Sequence, residues 1–248
     1  MNLEEFFSKN KKIALAFSGG VDSAYLLYSA KKYGADIKPY FVKSQFQPKF
    51  ELEDAKRLAK ELNVDLAIIK LDVLGDKTIS DNPSNRCYYC KKRIFDQIIK
   101  QAKQDGYNII IDGTNASDDI DDRPGFAALQ EMKVLSPLRE CGITKAELRQ
   151  FSKEEGLFTW NKPSYACLAT RIPSGKEIDE QSLKAIECSE NYMMKLGFRN
   201  FRVRQDGKNA RIEIEQKDKN LLFANLNGII AEFKKYYNKV TLDLEFRK

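Results

Sequence analysis

The strongest constraint on the fold is a repeated grammar. From Lys12 onward, short apolar runs alternate with stretches of helical periodicity. Residues 12–17 read as a buried strand, followed by a Gly-containing turn and a helix from about residue 23 to 33. Residues 37–42 predict a second strand. Residues 50–62 carry Leu52, Ala55, Leu58, Ala59 and Leu62 at helical spacing. Residues 66–71 predict a third strand, 91–104 a helix, 108–111 a fourth strand and 133–135 a fifth. Strands alternating with helices of this length imply an α/β fold, a doubly wound parallel sheet covered on both faces. Ligands of such sheets sit beyond the carboxyl ends of the strands.

From about residue 176 the grammar changes. A helix over 178–196 precedes two strands, 201–204 and 210–215, joined as a hairpin through residues 205–209. A helix over 217–236 and a strand over 240–246 follow. The pattern predicts a large domain over residues 1–172 and a small α+β domain over 173–248, divided near the Pro173–Ser174–Gly175 turn.

The chain has no histidine among its 248 residues. That excludes a Ser-His-Asp or Cys-His nucleophile pair, a 2-His-carboxylate iron site and any zinc site that needs imidazole. No apolar run is long enough to span a membrane. The start lacks a positive-then-apolar signal pattern, so a cytoplasmic protein without a membrane partner is expected. The five cysteines are too few and too odd in number for a disulfide scaffold; in a reducing cytosol they suggest metal or redox chemistry. The net charge of +6 is spread over both halves of the chain rather than gathered in a block, and gives no support to a nucleic-acid partner.

Ser18, Gly19, Gly20, Val21, Asp22 and Ser23 stand between the first strand and its helix. Two glycines let the backbone turn tightly and approach an anion. The unbonded amides of the helix start favour phosphate, and the serine hydroxyls add donors. Asp22 would repel a bare phosphate, so its presence calls for a Mg²⁺ between them. The loop lacks the lysine of a Walker A site and the third glycine of a dinucleotide fingerprint. After the fourth strand, Asp112, Gly113, Thr114 and Asn115 form a turn suited to a base or ribose. The acidic residues that follow, Asp118 and Asp121 among them, read individually as a solvated loop.

Cys87 and Cys90 open the helix after the third strand, with Arg86, Lys91 and Arg93 beside them. A helix start and neighbouring cations favour thiolate. Alone, this pair fits a redox couple, half of a zinc site or two packed thiols. Cys167 lies in a loop expected at the same carboxyl edge. Three thiolates suit an iron–sulfur cluster with one iron lacking a protein ligand. Cys141 and Cys188 are assigned to packing.

The hexapeptide 18–23 resembles the signature of the PP-loop ATP pyrophosphatases, which cleave ATP between the α and β phosphates and pass AMP to an acceptor oxygen. Taken with residues 86–91, 112–125, 136–138 and 162–175 in that order, the chain resembles the LarE family of ATP-dependent sulfur transferases over nearly its whole length. The resemblance implies adenylation of a carboxylate of pyridinium-3,5-biscarboxylic acid mononucleotide and its conversion to a thiocarboxylate, within biosynthesis of a nickel-pincer cofactor. It implies ATP as co-substrate, Mg²⁺ on Asp22 and a homo-oligomer, and leaves the sulfide source unspecified. One branch of the family sacrifices a cysteine matching Cys167; another binds a [4Fe–4S] cluster through three cysteines. Cys87, Cys90 and Cys167 together place this chain in the cluster branch, with sacrificial Cys167 and a tRNA-thiolating enzyme as alternatives. The acceptor so implied is anionic. Arg202 and Arg204 alternate along a predicted strand and would clamp its phosphate from one face, with Arg171, Glu190 and Glu213 as further substrate-binding residues.

Overall fold

The structure, a computed structural model, describes residues 1–119 and 124–247; Asp121 lies outside them. Along the chain run α1 (Leu3–Lys9), β1 (Lys12–Ala16), α2 (Val21–Lys32), β2 (Asp36–Lys43), α3 (Lys49–Glu61) and β3 (Ala67–Lys70). Next come α4 (Lys77–Ser80), α5 (Arg86–Gln104), β4 (Ile109–Ile111), α6 (Pro124–Glu131), α7 (Pro137–Glu140) and α8 (Lys145–Glu154). The remainder holds α9 (Glu180–Lys195), β5 (Arg202–Asp206), β6 (Asn209–Glu213), α10 (Lys219–Ala224), α11 (Leu226–Phe233) and β7 (Lys239–Leu242). Among the described residues no helix is long and apolar enough to cross a membrane.

The chain forms two compact units. The first comprises Met1–Val73 with Asn85–Lys162, the second Leu74–Ser84 with Pro163–Lys248. The chain therefore enters the second unit, returns to the first, and leaves it again before the Pro173–Ser174–Gly175 turn.

The first unit is an α/β fold around a parallel sheet of order β3-β2-β1-β4. Successive residues of β1 face opposite sides. Ile13 and Leu15 join a core with Phe6, Phe7, Leu26, Leu27 and Phe41. Ala14 joins another with Tyr40, Val42, Phe95, Ile98 and Ile110. Both faces are covered, which is why β1 is apolar at consecutive positions. From β1 the order runs outward through β2 and β3, then reverses to place β4 on β1's other side. Beyond the carboxyl ends of β1 and β4 lies the switch point where such sheets bind ligands.

The expected strand over 133–135 is reduced to one bridge between Leu135 and Ile111. Lys133 adopts a positive φ of 56° in the preceding turn, and Pro137 starts α7 immediately after, so neither side extends the pairing.

The second unit has a three-stranded sheet of order β5-β6-β7, in which β5 and β6 are antiparallel and β6 and β7 parallel. Asp206 pairs with Asn209, leaving Gly207 and Lys208 as a two-residue turn, with Gly207 at φ 55°. Val203, Ala210 and Ile212 face the core with Met193, Phe198 and Phe233. The expected helix over 217–236 is interrupted at Asn225, whose side-chain amide donates to the Leu221 carbonyl at 2.9 Å. The segment Leu74–Ser84 is bound into this unit: Ile178 N–H donates to Ser80 O and Gly175 N–H to Asn82 O, both at 2.7 Å. Asn82, only 2% exposed, also donates to Pro173 O at 2.8 Å.

Candidate active site

The 18–23 loop joins β1 to α2 as the sequence pattern anticipates. Gly20 is the helix N-cap and has no side-chain cap, which leaves first-turn amides for a ligand. Ser18 is exposed; its hydroxyl lies 3.2 Å from that of Ser23, and Ser23 in turn donates to Gly20 O at 3.2 Å. Gly19 has a φ of 71°, and a Cβ there would stand 3.1 Å from Glu51 O on α3. Gly19→Ala should therefore destabilise the protein by about 1–3 kcal/mol, read from urea unfolding; an unchanged midpoint would refute the close approach.

The turn after β4 meets this loop backbone to backbone. A Cβ on Gly113 would stand 3.1 Å from Ser23 N and 3.2 Å from Asp22 Cβ. Asp112, buried, shapes the turn by accepting from Thr114 Oγ1 at 2.6 Å and from Ser136 Oγ at 2.7 Å. This accounts for Ser136 at the end of the fifth apolar run, while Pro137 starts α7 and Leu138 joins the main core. Asn115 donates to Asp22 Oδ1 at 2.9 Å, so the two loops share a side-chain bond as well.

The other Asp22 oxygen is paired with Lys145, which sequence reasoning missed. Lys145 is the first residue of α8, and α8 starts with a full capping box between Thr144 and Glu147. The Thr-x-x-Glu spacing was the signal that could have located this helix. Lys145 thus neutralises Asp22 in this structure, and a divalent ion on that carboxylate would have to displace the ammonium.

Cys87 and Cys90 occupy the first turn of α5, Cys87 exposed and Cys90 half-buried. Arg86 Nη2 lies 3.8 Å from the Cys87 sulfur. One residue beyond Cys90, Lys91 reaches to 3.9 Å from Asp112, which places the cysteine turn beside the 112–115 turn. Among the described residues, which include all five cysteines, there is no disulfide. Thiols one helical turn apart beside a guanidinium have the donor chemistry for an iron–sulfur cluster. Among the described residues, however, no three Cys, Asp or Glu side chains are gathered to hold a metal ion. Cys141 is half-buried against the main core, and burial pushes its thiol pKa up. Cys188 is half-buried on α9.

In the second unit, Cys167 is half-buried at the start of a 3-10 turn over Leu168–Arg171. Arg171 is fully buried, and its donors are spent inside the protein. It forms a two-pronged ion pair with Glu190, both distances 2.9 Å, and bonds the Ala166 carbonyl at 2.8 Å and the Cys167 carbonyl at 3.3 Å. Burial opposes the Arg171 charge, but the hydrogen bonds and charge of Glu190 outweigh it and raise its pKa. Glu190 also accepts from Tyr165 Oη and, at 2.9 Å, from Val203 N–H. Arg202 is buried too and donates to Ser164 O at 2.9 Å. Burial, then the charges of Arg171 and Arg247, lower its pKa to about 10. The Tyr165 ring lies near both guanidiniums, with centroid distances of 4.5 Å to Arg171 and 5.5 Å to Arg202. Arg171 and Glu190 are fully buried and Arg202 is 8% exposed, so here their polar atoms are engaged in building the segment around Cys167.

Arg204 and Glu213 do line a cavity of about 520 Å³ on the polar face of the sheet, with Thr170, Arg211, Lys239 and Thr241. Glu213 receives three guanidiniums: Arg204 at 2.9 Å, Arg247 at 3.0 Å and Arg211 at 3.6 Å. Arg211 is shared with Asp243 at 3.3 Å, so three guanidiniums meet two carboxylates, an excess of positive charge that suits an anion.

Similarity to known proteins spans both units. The family described as queuosine biosynthesis protein QueC matches residues 12–85. An uncharacterized Synechocystis sp. protein is 36% identical over 98% of this chain and 92% of its own. The pyridinium-3,5-bisthiocarboxylic acid mononucleotide synthase of Lactiplantibacillus plantarum is 31% identical over 83% of this chain and 75% of its own. A tRNA-specific 2-thiouridylase, MnmA of Pseudothermotoga lettingae, is 28% identical over 70% of this chain and 60% of its own.

Proposed function

We infer the reaction from one premise: the chain belongs to the LarE family of PP-loop enzymes, with the pyridinium-3,5-bisthiocarboxylic acid mononucleotide synthase of Lactiplantibacillus plantarum as a relative. Enzymes of this family use ATP to transfer sulfur. The reading for this chain is adenylation of a pyridinium mononucleotide carboxylate followed by its conversion to a thiocarboxylate. The observation that carries it is the pair of loops clasped at the strand-order reversal, with Asp22 bridging Asn115 and Lys145.

In the first step a carboxylate oxygen of the acceptor bonds to the α-phosphorus as the bond to pyrophosphate breaks. Negative charge grows on the departing pyrophosphate, facing the first-turn amides of α2 and the hydroxyls of Ser18 and Ser23. Asp22 would hold Mg²⁺, which supplies charge neutralisation when bound, while Lys145, released from Asp22, would turn its ammonium to the phosphates. Gly113, Thr114 and Asn115 would border the nucleoside. In the second step a sulfur nucleophile bonds to the acyl carbon and AMP departs with the C–O bonding pair. The excess of guanidinium over carboxylate around Arg204 and Glu213 suits the acceptor's phosphate. For the sulfur source the reading takes a [4Fe–4S] cluster on Cys87, Cys90 and Cys167, which would supply sulfide when bound, with sacrificial Cys167 as the alternative donor.

Incubation with MgATP and the pyridinium dicarboxylate mononucleotide should yield AMP, pyrophosphate and a sulfur-bearing product. ATP turnover that instead thiolates tRNA would move the assignment to that substrate. Cys167→Ala should keep adenylation within a few-fold while losing sulfur transfer. Mass spectrometry of the wild-type chain after turnover separates the routes: a Cys167 peptide lacking its sulfur selects sacrificial chemistry, an unchanged peptide the cluster.

A further inference from the structure

Lys162, the last residue of the first unit, directs its ammonium back onto the nucleotide loop. Its Nζ donates to Gly19 O at 3.1 Å and pairs with Asp54 of α3 at 2.6 Å, over the face of Phe50 at 5.4 Å. The side chain is only 15% exposed. The main chain behind it is anchored: Arg149 of α8 donates to Trp160 O at 2.7 Å and to Lys162 O at 2.8 Å. Arg149 lies one turn along the helix from Lys145, so α8 holds Asp22 through one residue and the stem of Lys162 through another.

The Gly19 carbonyl and the Gly20 N–H belong to one planar peptide and point in opposite directions. Fixing the carbonyl toward Lys162 therefore turns the N–H toward the concave side of the loop. There its protein partner is Ser18 Oγ, at a long 3.4 Å, a weak bond that an incoming phosphate oxygen would readily replace. An ammonium on the carbonyl also polarises the peptide and strengthens its N–H as a donor.

We propose that Lys162 is a positioning residue of the nucleotide site, which orients and polarises the Gly19–Gly20 peptide so that Gly20 N–H grips the pyrophosphate portion of ATP. This rests on the ATP-cleaving role argued above. Asp54 offsets the lysine's charge and holds it, but makes no contact with the loop peptide through this pair.

The test uses the intact protein with inorganic pyrophosphate and MgATP as probes in calorimetry, and AMP formation as the kinetic readout. Lys162→Met should weaken pyrophosphate binding about tenfold and raise KM for ATP by a similar factor, with a smaller change in kcat. Asp54→Asn breaks the same ion pair but leaves the Lys162 contact to Gly19, and should bind pyrophosphate within twofold of wild type. A purely structural ion pair predicts equal losses in the two variants, so equal losses overturn the inference, as does Lys162→Met binding like wild type. Lys162→Met combined with Asp54→Asn should regain thermal stability without regaining affinity; recovery of both would also overturn it. If the wild-type protein neither binds MgATP nor forms AMP, the functional reading falls and takes this inference with it. Wild-type turnover with an unaffected Lys162→Met variant defeats the inference alone.

Discussion

Asp22→Ala should reduce AMP formation by about 10²–10³-fold while leaving the fold intact. The carboxylate is partly accessible, its side chain 22% exposed, so its loss does not bury a charge. Two partners are nevertheless deprived: Asn115 loses an acceptor and Lys145 its counter-charge. The expected signature is an unchanged circular dichroism spectrum, a melting temperature within a few degrees of wild type and near-complete loss of pyrophosphate release. Asp22→Asn sharpens the reading, because an amide can still meet Asn115 yet cannot serve as an anionic metal ligand. If Asp22→Asn releases pyrophosphate at the wild-type rate, the loop does not use Asp22 to manage phosphate charge.

The largest loss of stability is expected at Glu190. Its carboxylate and the Arg171 guanidinium are essentially inaccessible to water, at 1% and 0% side-chain exposure. Glu190→Ala would leave a buried cation without its counter-ion and remove the acceptor for Tyr165 Oη and Val203 N–H. Breaking one half of such a pair costs about 3–5 kcal/mol. By contrast Glu213→Ala should cost less, since its arginine partners Arg204, Arg211 and Arg247 retain 36%, 54% and 23% side-chain exposure and can turn to solvent. Urea unfolding of the two variants supplies the comparison. Replacing both members, Arg171→Met with Glu190→Leu, should recover much of the loss. Equal small losses for Glu190→Ala and Glu213→Ala would show that the fully buried pair contributes no more than one whose arginines reach solvent.

The parts legible in the sequence were those encoded over a few neighbours. A strand-to-helix loop with two glycines depends on local backbone freedom, and residues 18–23 adopt that role at the expected place. The Cys87–Cys90 spacing likewise put both residues in one helical turn, although α5 begins five residues before the expected start because Arg86 is already helical. What escaped was set by partners far along the chain. Lys145 meets Asp22 across 123 residues, and Lys162 meets Gly19 across 143. Neither lysine differs in local pattern from the exposed lysines around it. Alternation along β5 put Arg202 and Arg204 on the same face, but not their different burial. That difference comes from the 164–170 segment, whose carbonyls take Arg202 at Ser164 and Arg204 at Thr170. Arg171 and Glu190 have charged identities that argue for a surface, and only their mutual pairing permits their burial.

The double passage of the chain between units limits how the protein can be dissected. Truncation after Lys162 would strand Leu74–Ser84 as an internal bulge, stripping Ser80 and Asn82 of partners at Ile178, Gly175 and Pro173. Expression of residues 163–248 by themselves would lack the same insert. A protease nick in the 163–166 stretch should accordingly leave two fragments that co-migrate under native conditions and part only in denaturant.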